Sequence, residues 1–205
     1  MKTLTLLLAS GLTLAVGPAL AQNASVPAAP AAAQSLGGPA VAGVCLLSQQ
    51  AILANAKVGV AASARLKQIA DAAGAEIAAA RGPIAAESKT LQDQAATLKP
   101  ADLQARRQAL SGRVQTLEQT AEVRRQEIEL TRERAVAQIA SEAQSVIAQV
   151  YKAHNCGLLI DRNSILGGNL SGDLTPDVVK GLDQKITTIS FDRATLPAQT
   201  AGAAR

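Results

Sequence analysis

The sequence predicts an α+β chain in which a long antiparallel helical hairpin projects from a small β-body, and three observations carry that prediction. Apolar residues recur at steps of three, four and seven through most of residues 50–153. Short apolar runs flank this region at 44–48 (VCLLS) and 158–166 (LLIDRNSIL). Aromatic residues are almost absent, with one Phe, one Tyr and no Trp in 205 residues. Steps of three, four and seven are those of a coiled coil, and no strand produces them. Large aromatics supply much of the burial in compact cores. A chain without them suits thin helical packing, where alanine sits in narrow seams.

The first element is for export. Lys2 precedes an apolar run from Leu4 to Val16, followed by Gly17-Pro18 and the small-x-small site Ala19-Leu20-Ala21. This is the layout of a signal peptide over 1–21, with Gln22 as the first mature residue. The run of 13 residues is short of the roughly 20 that span a bilayer. No transmembrane span is expected in the mature protein, and contact with a membrane surface stays open. Residues 22–42 hold Ala, Pro, Gly and Ser without charge and read as a disordered lead-in. The folded domain is expected over 43–189, its arm over about 58–153 and its body from 43–57 and 154–189.

The arm divides in two. One stripe runs through Leu66, Ile69, Ala73, Ile77, Ala80, Ile84, Leu91, Ala95 and Leu98. A second runs through Leu103, Leu110, Val114, Leu117, Ala121, Ile128, Ala135, Ile139, Ala143, Val146 and Val150. Between them lie Lys99 and Pro100, and proline suits the first turn of a new helix, so the chain should reverse there. The returning helix, about 50 residues long, would run roughly 75 Å. Gly82-Pro83 falls inside the outgoing helix and predicts a kink, because the stripe resumes in phase beyond it. The alternative is a true break that yields a three-helix bundle.

After the arm, 158–166 reads as a strand ending in the turn signal Gly167-Gly168-Asn169. Thr175-Pro176 then opens a helix, with Thr175 as N-cap, Pro176 in the first turn and Asp177 matching the helix dipole. The tail over 190–205 reads as disordered. Two or three short strands cannot bury their faces or protect their edges in one chain, so the β-body requires association.

Charge narrows the class of function. The formal net charge is +4, or +3 without Lys2, too mild to argue for nucleic acid, and the basic–aromatic interleaving of a single-strand binder is missing. The distal arm is uneven. Arg81, Lys89, Lys99, Arg106, Arg107 and Arg113 face only Glu87, Asp93 and Asp102 between positions 81 and 113, an excess of +3. These six cations are the candidate electrostatic binding site.

The order of elements resembles the Skp/OmpH family of periplasmic chaperones. The resemblance rests on VCLLSQQAIL (44–53), LLIDRNSIL (158–166) and LTPDVVKGL (174–182). Asp161 and Asn163 match that family's Asp-x-Asn, while Thr175 and Asp177 match its Thr-x-Asp helix start; Asp161 and Asn163 are expected to cap and order the loops of the body. Ser48 departs from the family's usual Asp or Asn, and the arm is less basic than in its best-known members. The resemblance implies a homotrimer whose strands complete the β-body and whose arms enclose unfolded outer-membrane proteins in the periplasm, as an ATP-independent holdase without cofactor. A coiled-coil spacer or tether of the envelope, with no client, is the alternative.

Catalysis and metal binding are not expected. His154 and Cys156 lie two apart without a residue placed to orient the histidine, and one His with two Cys is a poor ligand set for a metal. The two cysteines read instead as a disulfide, since Cys45 and Cys156 sit at the two ends that a hairpin brings together in an oxidising compartment. Two separate buried thiols are the competing reading.

Overall fold

The computed structural model describes residues 34–196; the expected signal peptide, the first part of the expected lead-in and the end of the expected tail lie outside the described residues. In chain order the elements are β1 (Gln34–Ser35), β2 (Val44–Leu47), α1 (Gln49–Asn55), α2 (Lys57–Asp93), α3 (Pro100–Ala153), β3 (Leu158–Asp161), a 3-10 turn (Arg162–Ser164), β4 (Gly167–Gly168) and α4 (Thr175–Lys185). The described residues are mostly helical, with two small two-stranded sheets, β1–β4 and β2–β3. Among the described residues no helix is long and apolar enough to cross a membrane.

The hairpin dominates. At 1.5 Å per residue, α2 is about 55 Å long and α3 about 80 Å. Three cross-arm pairs, Glu76–Arg124, Glu87–Arg113 and Gln94–Arg106, each have residue numbers that add to 200, so a single antiparallel register runs from mid-arm to tip. Helix α2 continues through Gly82-Pro83, which rules out the three-helix bundle. Pro83 still removes one backbone donor from the ladder. The chain reverses at 94–99, and Lys99 is the N-cap of α3 with Pro100 in its first turn.

The body forms where the two ends of the hairpin meet. β2 and β3 pair in parallel, Val44 opposite Leu158 through Leu47 opposite Asp161. Parallel strands need a long crossover, and here the crossover is the entire arm. The other edge of β2 is met by residues 172–174: Leu46 N–H donates to Gly172 O at 2.9 Å, and Leu174 N–H donates to Leu46 O at 2.9 Å. The core beneath comprises Cys45, Leu47, Ile52, Val58 and Ala62 with Ile139, Ala143 and Val146 of α3, Leu174, and Val178 and Leu182 of α4. α1 turns sharply into α2 at Ala56, and Gly59 is needed there because a Cβ would lie 1.9 Å from Leu53 O.

Four expectations are corrected. The run 158–166 is not one strand, since β3 ends at Asp161 and a 3-10 turn follows. Gly167-Gly168, read as a turn, pairs in parallel with Gln34-Ser35, so the lead-in over 22–42 is not wholly without structure. Thr175 does not cap its own helix. Leu174 is the N-cap, Asp173 Oδ1 accepts from Thr175 N–H at 2.9 Å, and the Thr175 hydroxyl is used elsewhere. Residues 190–196 do not trail away either. Phe191 packs on the core, Asp192 pairs with Arg65, and Ala194 is buried against the arm.

Candidate functional site

Two of the motif residues of the body, Thr175 and Asn163, converge on Ser48. Its backbone N–H donates to Thr175 Oγ1 at 3.0 Å, a contact 127 residues apart in sequence. Its hydroxyl accepts from Ala51 N–H at 3.1 Å, capping α1, and from Asn163 Nδ2 at 3.3 Å. Ser48 is 1% exposed, so these bonds replace water for a buried hydroxyl and a buried amide. Serine at this position therefore keeps the capping function that Asp or Asn would supply. Asp161 Oδ1 accepts from Asn163 N–H at 3.0 Å and shapes the turn after β3. Asp177 accepts from His154 Nε2 or bonds it as an ion pair, at 2.9 Å, joining the end of α3 to the start of α4. His154 is thus held by a carboxylate, and the Cys156 sulfur is bonded to Cys45.

Asp173, which the sequence did not single out, is the most constrained acid of the body. Burial pushes its carboxyl up, but hydrogen bonds from Thr175 and the Arg162 guanidinium (Nη1 to Oδ2, 2.6 Å) outweigh this and hold it below the ordinary Asp value. Cys45 and Cys156 are joined as a disulfide with a Cα–Cα distance of 5.8 Å across a sequence separation of 111. That link ties β2 to the segment that leads from α3 into β3, at the base of the arm.

The six arm cations do not form one cluster. Lys89 pairs with Asp93 one turn along α2 at 2.9 Å, and Arg113 pairs with Glu87 across the hairpin. Arg106 donates to Gln94 Oε1 at 3.2 Å near the tip. Arg81, Lys99, Arg106 and Arg107 make no ion pair among the described residues and are exposed. Beside them the apolar seam is only half closed: Ile84, Leu98, Leu103, Leu110 and Leu117 are half-buried, and from 78 to 126 only Leu91 is fully buried. Lower on the arm, Arg81, Arg124 and Arg125 rim a shallow groove of about 390 Å³ floored by Ala73, Ile77 and Ala121. Chemically, the distal arm offers free cations next to accessible aliphatic surface along its length. Among the described residues no group of His, Cys, Asp and Glu is assembled that could hold a metal.

Sequence reasoning missed a second charged cluster in mid-arm. Arg124 donates to Glu76 across the hairpin and to Glu127 one turn on, both at 2.8 Å. Arg193, from the segment after α4, reaches the same two carboxylates at 3.0 and 3.3 Å. Hydrogen bonds from Arg124 and then Arg193 hold the Glu76 carboxyl below its ordinary value. The available signal was the pair of seven-residue steps, Ala121 to Ile128 to Ala135, which leave Arg124 and Thr131 at seam positions.

The chain is similar to known proteins along most of this fold. The profile of the family described as "Outer membrane protein (OmpH-like)" matches residues 43–182. A crystal structure from Caulobacter crescentus CB15, described as an OmpH-like outer membrane chaperone, superposes with a TM-score of 0.72 at 32% identity. The match covers 81% of this chain and 98% of that one. No curated protein sequence matches the chain.

Proposed function

This chain belongs to the OmpH-like outer membrane protein family, and from that membership we propose an ATP-independent holdase that binds unfolded outer-membrane proteins in the periplasm. The observation that carries the reading is the distal arm, where Arg81, Lys99, Arg106 and Arg107, which make no ion pair among the described residues, stand along a half-open aliphatic seam. Such a surface binds weakly at many points. A long unfolded segment is held by the sum of contacts, while each contact exchanges fast enough to release.

Assembly as a homotrimer belongs to the same proposal. It is supported by the open strand β3, where Leu158 is 53% exposed. β3 pairs only with β2 among the described strands, which leaves an edge and a face for another copy to cover. Three arms would then surround a client from one body. Export through the segment 1–21 supplies the compartment.

The test measures aggregation suppression of several unrelated unfolded barrel proteins by the purified mature protein, together with its mass in solution. The expected result is suppression of all of them by a species of three chains. Reversing Arg106→Glu and Arg107→Glu should weaken client binding about two- to tenfold and make it more sensitive to salt, because the cations act over a Debye length of about 10 Å at 0.1 M. The mass should not change. One tight partner with no suppression of unfolded barrels would overturn the proposal in favour of a spacer or tether.

A further inference from the structure

The segment after α4 leaves the body and crosses the arm. Ile186, Ile189 and Phe191 of this segment pack against the body core. Arg65 of α2 then donates to Phe191 O at 3.3 Å and pairs with Asp192 at 2.8 Å. Arg193 spans both helices, meeting Glu76 on α2 and Glu127 on α3. Finally, Ala194 N–H donates to Thr131 Oγ1 at 2.8 Å, with Ala194 8% and Thr131 2% exposed. Four consecutive residues, Phe191 to Ala194, thus contact α2, α3 and the body core.

These contacts fall at a mechanical boundary. Toward the body, the seam is filled by Ala62, Ile69, Ala73, Ala135 and Ile139, all buried. Beyond Glu76 and Glu127 the seam is half open, and Pro83, seven residues past Glu76, interrupts the hydrogen-bond ladder of α2. Glu127 is 5% exposed and holds two guanidinium groups. A buried carboxylate with two charge-assisted partners is a strong link, and Arg193 adds a second bridge between the helices beside the one Arg124 makes.

We infer that residues 190–194 form a C-terminal splint that locks the two helices of the arm together as far as Glu76 and Glu127, and so sets the point beyond which the arm can flex. The segment is a working part of the arm, although it follows the last helix among the described residues and lies past residue 182, where the family match ends. The inference concerns stiffness of the arm and stands whether or not the arm holds clients.

Hydrogen exchange of the full mature protein tests it, using Thr131→Val and Arg193→Ala as separate variants. Valine preserves the shape of threonine, so Thr131→Val keeps the fold while depriving the Ala194 N–H of its buried acceptor. Expected are about tenfold faster exchange at 190–194 in either variant and faster exchange in 65–80 and 124–135. Amides of the body at 44–52 and 174–182 should keep their protection. Two results would overturn the inference: fast exchange at 190–194 in the unaltered protein, or release of that segment with 65–80 and 124–135 as protected as before. If Arg193→Ala fails to fold, the Thr131→Val result decides alone.

Discussion

The root of the arm and its distal half share one repeat yet are held in different ways. In the root, α2 and α3 pack on each other and are also covered by α1, α4 and the C-terminal segment, so Val58, Ala62, Ile69, Ala73, Ala135, Ile139, Ala143 and Val146 are all buried. In the distal half, two helices have only each other, and the same spacing of apolar residues leaves every seam residue but Leu91 partly or fully accessible. Periodicity therefore specifies which faces pair. It does not determine how dry the seam becomes, because a two-helix hairpin closes one side of each seam residue and a third layer is needed to close the rest. The contrast also explains why the unpaired cations and the accessible aliphatic surface occur together far from the body.

The largest test of this contrast is the disulfide. A bond across 111 residues contributes up to about 4–5 kcal/mol in the chain-entropy model, and measured values often fall below that. Replacing Cys45 and Cys156 with Ala should therefore lower the urea midpoint strongly. Exchange should accelerate at the body and the arm root, while the distal amides, far from the link, should change little. An unaltered midpoint would show that packing alone holds the base.

A pair of truncations sharpens the comparison within a single helix. Ile139→Ala opens a cavity at a residue 2% exposed and should cost about 2–5 kcal/mol. Leu110→Ala, at the half-buried distal seam, removes a side chain still partly in water and should cost about 1 kcal/mol or less. Equal costs by chemical unfolding would mean that the two halves are packed alike.

The smallest effect concerns pH and belongs to the body alone. Asp173 has its carboxyl held below the ordinary value of 3.8 by Thr175 and Arg162 against the opposing effect of burial. A depressed folded-state pKa gives stability that is present above the unfolded value and is lost as pH falls through the folded one. The unfolding midpoint should accordingly decline as pH drops below about 4, and Asp173→Asn should flatten that decline. No difference between the two proteins across pH 5 to 2 would refute the assignment.

Local pattern was sufficient for the elements that repeat. The hairpin, its reversal at Lys99-Pro100 and the strands at 44 and 158 follow from periodicity, proline placement and β-branched or Leu-rich runs, all of which act over a few residues. The pairing of Cys45 with Cys156 was legible too, because a hairpin must return to its origin. Continuity of α2 through Pro83 was signalled by the stripe resuming in phase, since neighbouring turns of α2 and the facing α3 hold a helix that lacks one backbone bond.

What the sequence by itself determined is a long two-helix arm on a small strand-bearing base. Only the tertiary structure decided which polar groups meet. Thr175 looks like an N-cap in sequence because its own helix is the only neighbour visible there. In the folded chain its hydroxyl serves Ser48 N–H, 127 residues away, and Asp173 takes over at the helix start. Arg193 looks like part of a loose tail, since no apolar repeat surrounds it, yet it bridges Glu76 and Glu127. The physical reason is range. Periodicity and capping preferences are local, but a buried hydrogen bond or ion pair is chosen by whichever partner the fold brings within about 3 Å, and chain separation has no bearing on that choice.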